Sequence, residues 1–154
     1  MIETSRTLYD LTDFDRTRLY VDEEIPAAAG FVFYNLRAFS STRDPEGTRS
    51  FSQMLSDVVQ NRQSPELLAL STEHLIVVAS RGQESIGLSI IEPAGSIAFD
   101  TLTWITPRWR RRGLATAMKI QAIHDARKTG ISALWGLSDA DGRSFYEALG
   151  LRPS

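Results

Sequence analysis

A mixed α/β (α+β) domain is what this sequence predicts, and three observations predict it. The apolar pattern is helical in the first third of the chain, where Phe51, Met54, Leu55 and Val58 fall at i, i+3, i+4 and i+7. It then changes to β-branched runs separated by tight turns, the pattern of an antiparallel meander. Last comes a compact strand, helix, strand unit, which should be a right-handed parallel crossover. Helices are expected on both faces of the resulting mixed sheet.

The elements follow in order. Arg6 to Leu11 has the residues of a strand. Ile25 to Phe39 reads as a helix, with Pro26 in its first turn and Phe31, Tyr34 and Ala38 on one stripe. STRDPEG at 41 to 47 breaks it, and the stripe of Phe51, Met54, Leu55 and Val58 makes Thr48 to Gln60 an amphipathic helix. Ser64-Pro65-Glu66 opens a short turn through Leu70, as an N-cap with proline at the first helical position. His74 to Ala79, Ser85 to Glu92 and Ser96 to Ile105 are the three meander strands, joined by RGQE and Pro93-Ala94-Gly95. After Pro107 the period is helical through Thr129, closed by Lys128 and a C′ Gly130. Ile131 to Leu137 is the next strand. A last helix runs from about Gly142 to Leu149, with Asp141 as N-cap and Gly150 at its end.

Composition narrows the function. The 154 residues fit a single domain spanning 1 to 154, and no apolar run approaches the roughly 20 residues that cross a membrane. MIETSRTLYD has no apolar signal segment, so a cytoplasmic location is the expectation, with no membrane partner. The absence of cysteine removes disulfides, thiolate catalysis and cysteine-held metals, and His74 and His124 are far apart, so no metal is expected. His124 reads as a surface or half-buried residue. The net charge of −2 argues against a nucleic-acid partner, although RWRRR at 108 to 112 puts four arginines in five positions.

Those arginines stand where a strand meets a helix. Pro107 ends the strand and Gly113 lies where the helix begins, so the free N–H groups of its first turn can hold a phosphate, with arginines adding charge-assisted bonds. Neither G-x-x-x-x-G-K-[ST] nor G-x-G-x-x-G occurs.

Arg110-Arg111-Arg112-Gly113-Leu114-Ala115 resembles the Q/R-x-x-G-x-G/A signature of the GNAT superfamily of N-acetyltransferases. Ile105-Thr106-Pro107 resembles its usual V-x-P lead-in, and SFYEALGL at 144 to 151 its FYEKLGF block. The resemblance implies acetyl-coenzyme A as co-substrate and a small-molecule or peptide amine as acceptor. It implies cofactor contacts at Arg110, Arg111, Arg112, Gly113, Leu114, Ala115 and Thr116, and backbone pairing of the pantetheine arm with Thr103, Trp104 and Ile105. Ser138 stands where the family often has an asparagine, and is the remaining cofactor-binding candidate. Tyr146 corresponds to the family's general acid, and Asp100, the carboxylate within the third strand, to a candidate general base; an aspartate facing solvent is the alternative. The family commonly shapes its acceptor pocket from the first helices, which allows Phe31, Phe33, Tyr34 and Phe39 a part in an apolar or aromatic pocket.

The family's usual strands after the FYEKLGF helix have no counterpart in Leu151-Arg152-Pro153-Ser154, which leaves the edge of the 131 to 137 strand open. A partner subunit, the N-terminal segment or a second polypeptide is expected to cover it, with a homodimer or other partner as the expectation. The rival to an active acetyltransferase is a GNAT-fold binding or regulatory module with weak or no turnover.

Overall fold

The computed structural model describes residues 5–36, 45–62 and 74–154. Among these, seven strands form one mixed sheet in the order β2-β3-β4-β5-β6-β1-β7. The strands are β1 (Arg6–Asp10), β2 (Phe31–Asn35), β3 (Leu75–Arg81), β4 (Glu84–Ala94), β5 (Ile97–Ile105), β6 (Ala133–Leu137) and β7 (Arg152–Pro153). The helices are α1 (Tyr20–Ala28), α2 (Pro45–Arg62), α3 (Leu114–Lys128) and α4 (Ala140–Ala148).

The sheet carries a core on each face. On one, Phe51, Met54 and Val58 of α2 pack on Ile76, Val78, Leu88, Ile90, Leu102 and Trp104. On the other, Met118, Ile120 and Ile123 of α3 and Tyr146 and Leu149 pack with Val77, Ile91 and Leu134. The meander is antiparallel, β3 to β4 to β5, and β5 then pairs parallel to β6, as the switch of period predicts. Gly130, at φ +93°, follows the end of α3 in the left-handed conformation that favours glycine.

Three expectations are corrected. Residues 25 to 39 are not one helix: α1 ends at Ala28, Gly30 turns at φ +91°, and Phe31–Asn35 is an edge strand paired with β3. Pro26 therefore lies inside α1 rather than in its first turn. The aromatic, β-branched run FVFY favours a pleated surface over a helix. Ala38 and Phe39, and the Ser64 to Leu70 turn, lie outside the described residues. Next, the N-cap of α4 is Asp139, not Asp141; its carboxylate accepts from the N–H of Gly142 at 2.7 Å.

At the sheet edge the expectation of no further strand is corrected, and one of the three expected covers is present. The β6 strand is not open, because β1 pairs with it antiparallel from Arg6↔Leu137 to Asp10↔Ala133. The chain also continues the sheet after α4, since Arg152 and Pro153 pair with Asp10 and Tyr9. The N-terminal segment thus supplies the cover, and no partner strand is needed there.

Candidate active site

The cleft exists because two parallel strands separate. β5 and β6 pair only over Ile97↔Ala133, Ala98↔Leu134 and Phe99↔Trp135. Beyond Phe99 the strands part, and among the described residues one side of β5 is without a neighbouring strand. A β-bulge sits at the same place: Ile91 opposes Asp100 and Ile90 opposes Leu102, which leaves Thr101 unpaired. The bulge also reverses the faces. Asp100 points toward α3 and α4, whereas Leu102 and Trp104 join the core under α2.

Two adjoining cavities fill the opening and share Thr103, Ala115 and Phe145 in their walls. The first, about 420 Å³, is lined by the end of β5 and by the loop into α3. It takes in Thr103, Trp104, Ile105, Arg110, Arg111, Gly113, Leu114, Ala115 and Thr116, nine of the residues singled out in the sequence. The second, about 310 Å³, reaches Asp100, Tyr146 and Arg6.

The loop is built to present backbone donors. A single 3₁₀ turn, Pro107–Trp109, follows the strand, and then Arg111 at φ +63° and Gly113 at φ +75° both adopt left-handed backbone. For a non-glycine residue such as Arg111 this costs about 1–2 kcal/mol. Left-handed residues curl successive amides into concavities that suit anions. Gly113 caps α3, so the N–H groups of Leu114, Ala115 and Thr116 have no intrahelical acceptor and stand at the positive end of the helix dipole.

The four arginines divide by partner. Arg108 pairs with Glu84, which also accepts from Trp109 Nε1, so it braces the loop on its far side. Arg110 donates from Nε to the Ile105 carbonyl at 2.7 Å and lies over the Trp104 ring. Its charge remains at the cavity, but the Ile105 carbonyl is already engaged. Arg112 lies over the Trp109 ring, outside the lining of either cavity. Arg111 lines the first cavity with its backbone held left-handed. Phe31 meets Trp109 edge-on at 5.4 Å, which places that aromatic residue behind the loop.

Behind the second cavity four side chains meet out of water. Lys119 Nζ donates to Asp100 Oδ1 at 2.8 Å and to Ser89 Oγ at 2.7 Å, and the Tyr146 hydroxyl donates to Asp100 Oδ2 at 2.7 Å. The side chains of Lys119 and Asp100 are 0% and 3% exposed, and Tyr146 is 4% exposed. Burial, then the Asp100 charge and its hydrogen bond, push the Tyr146 phenol far above its ordinary range. The backbone carbonyl of Asp100 accepts from Arg6 Nη1 at 3.1 Å, so β1 reaches across β6 to the point where the strands part. Tyr146 packs on Tyr9 at 4.6 Å, and it fits only because residue 136 is glycine: a Cβ there would lie 2.4 Å from the ring.

Ser138 stands apart from this group. Its hydroxyl bonds with that of Thr7 at 2.6 Å, and it lines neither cavity. His124 is half-buried on α3. Sequence reasoning missed Lys119 and Arg6. Lys119 carries a readable signal: it lies on the apolar stripe of α3 with Ala115, Ala122 and Ile123, and a cation there needs a buried partner. Among the described residues no cluster of three or more His, Asp or Glu could hold a metal, and no helix is long and apolar enough to cross a membrane.

The acetyltransferase (GNAT) family profile matches residues 36–151. No curated protein sequence matches the chain. Among solved structures, the chain is similar to a glucosamine N-acetyltransferase region of a fungal multi-domain GH3 β-N-acetylglucosaminidase, at 11% identity and a TM-score of 0.64, covering 98% of this chain and 20% of that one. It is similar to a GCN5-related N-acetyltransferase from Kribbella flavida at 18% identity and a TM-score of 0.61, covering 97% and 55%. The ribosomal-protein-S18-alanine N-acetyltransferase from Escherichia coli gives 18% identity and a TM-score of 0.57, covering 78% and 76%. The chain thus spans about half or less of the first two proteins, and these likenesses show the fold alone. The profile match over most of the chain, on a sheet that parts beside a glycine-capped helix, shows that this chain belongs to the GNAT family of acetyltransferases.

Proposed function

We propose that the chain moves an acetyl group from acetyl-coenzyme A to a primary amine by direct attack. The observation that carries this reading is the place where β5 leaves β6, directly beside the free amides that open α3. The donor set fits the co-substrate. The N–H groups of Leu114, Ala115 and Thr116, with Arg110 and Arg111 beside them, suit a pyrophosphate, and the unpaired side of β5 suits the amides of a pantetheine arm.

At the bulge, Thr101 lines the second cavity, where a backbone N–H of β5 can polarise a thioester carbonyl. The amine nitrogen forms a bond to that carbon, the carbon–sulfur bond breaks, and the proton lost by the amine balances the one gained by sulfur. Tyr146 keeps its proton at every working pH. A phenol raised above its ordinary value is a weaker acid than a thiol of about 8.5, so full transfer to sulfur is uphill. Tyr146 acts instead by turning its O–H toward the developing thiolate. Asp100 has both oxygens engaged and holds Tyr146 rather than serving as a free base.

Turnover of acetyl-coenzyme A against amino acids, polyamines and peptides with free N-termini tests the reading. Thiol release with at least one amine supports it; tight binding of the coenzyme with no release across the panel makes the chain a binding module.

A further inference from the structure

We propose that Lys119 is a positioning residue for Tyr146, acting through Asp100. The ammonium, carboxylate and phenol form one chain of contacts, Nζ to Oδ1 at 2.8 Å and hydroxyl to Oδ2 at 2.7 Å, and Ser89 Oγ takes a second donor of Lys119 at 2.7 Å. These groups come from α3, β5, α4 and β4, so their meeting fixes α4 against the cleft. Lys119 is wholly out of water and lines neither cavity, so it acts on the site only through its partner. Its charge offsets that of Asp100, and an offset carboxylate can stay seated under the sheet and hold the phenol at one place.

The lysine also sets which way the Tyr146 hydroxyl faces at rest. The Tyr146 hydroxyl donates to Asp100 Oδ2 on β5, and that bond sets its direction at rest. Loss of Lys119 leaves a buried carboxylate without its cation, and Asp100 must then turn toward water or toward Arg6, whose guanidinium already sits at its backbone carbonyl. Either movement releases Tyr146.

The kinetic consequence rests on the acyl-transfer reading, but the structural one does not, and the experiment separates them. The hydroxyl proton of Tyr146, identified by its loss in Tyr146→Phe, is followed by NMR in the wild type, in Lys119→Met and in the charge-neutral pair Lys119→Met with Asp100→Asn. The proposal expects a slowly exchanging signal in the wild type that moves or vanishes in both variants. In parallel, Lys119→Met should lower kcat roughly ten- to a hundredfold with little change in KM for acetyl-coenzyme A. In a Tyr146→Phe background the same substitution should add little. The proposal is overturned by a hydroxyl signal that Lys119→Met leaves in place, or by an equal loss of kcat with and without Tyr146. Where Lys119→Met does not fold, Lys119→Gln is read in the same two measurements. Failure of the wild type to bind acetyl-coenzyme A would remove the acyl-transfer reading, while the hydroxyl signal would still judge the role of Lys119.

Discussion

Lys119 Nζ lies 2.8 Å from Asp100 Oδ1 with both side chains almost entirely excluded from water, at the point where the sheet opens. Removing one member of such a pair leaves a lone buried charge. Lys119→Met should therefore destabilise the fold by about 3–5 kcal/mol, and adding Asp100→Asn should restore part of the loss. Chemical denaturation of the two variants checks this, and equal stabilities would contradict it.

Gly136 makes room for the Tyr146 ring, since a methyl group at that position would lie 2.4 Å from two ring carbons. Gly136→Ala should destabilise by about 1–3 kcal/mol through overpacking. It should also lower kcat more than it weakens coenzyme binding, because the loop at 110 to 116 is left alone. Steady-state kinetics beside a binding titration separates the two effects.

Alkaline pH should expose the buried phenol. Tyr146 is raised in the folded protein, so its contribution to stability is complete below the unfolded tyrosine value of about 10 and is lost as pH rises above it. Thermal melts of wild type and Tyr146→Phe should show a steeper alkaline fall in the wild type above about pH 10. Parallel curves would contradict the assignment.

The N-terminal strand is part of the core and not an appendage. Tyr9 and Leu11 are buried, and β1 covers the edge of β6 and seats β7. Deleting residues 1–10 should expose that edge and cause association, read by light scattering. Tyr9→Ala should cost about 3–5 kcal/mol, the range for removing a large buried aromatic residue.

The parts of the molecule that follow from local chemistry are legible in the chain. The meander, the α3 stripe and the glycines at 113 and 130 depend on neighbours within a few residues, and they appear where the pattern puts them. The loop between β5 and α3 is legible for the same reason. Phe31–Asn35 departs from the expected helix because an aromatic run satisfies a helical stripe and a pleated edge alike, and Gly30 is the signal that decides between them. What joins distant residues is hidden. Arg6 and Asp100 are 94 positions apart and Lys119 and Asp100 are 19 apart, and no local period connects them. The bulge at Thr101, which sends Asp100 to one face and Leu102 to the other, is likewise set by pairing with β4.

On the proposed acyl-transfer reading, coenzyme binding depends above all on the loop that opens α3. Gly113 sits at φ +75° in the wall of the first cavity with open space around the position of a Cβ, so a side chain there costs about 1–2 kcal/mol in backbone strain. Calorimetric titration of acetyl-coenzyme A into the wild type and Gly113→Val tests it most directly. Saturable one-to-one binding that the valine weakens by tenfold or more, roughly the loss of one well-placed charge-assisted contact, is the predicted result. Equal affinity in the two proteins, or no binding to the wild type, would contradict it.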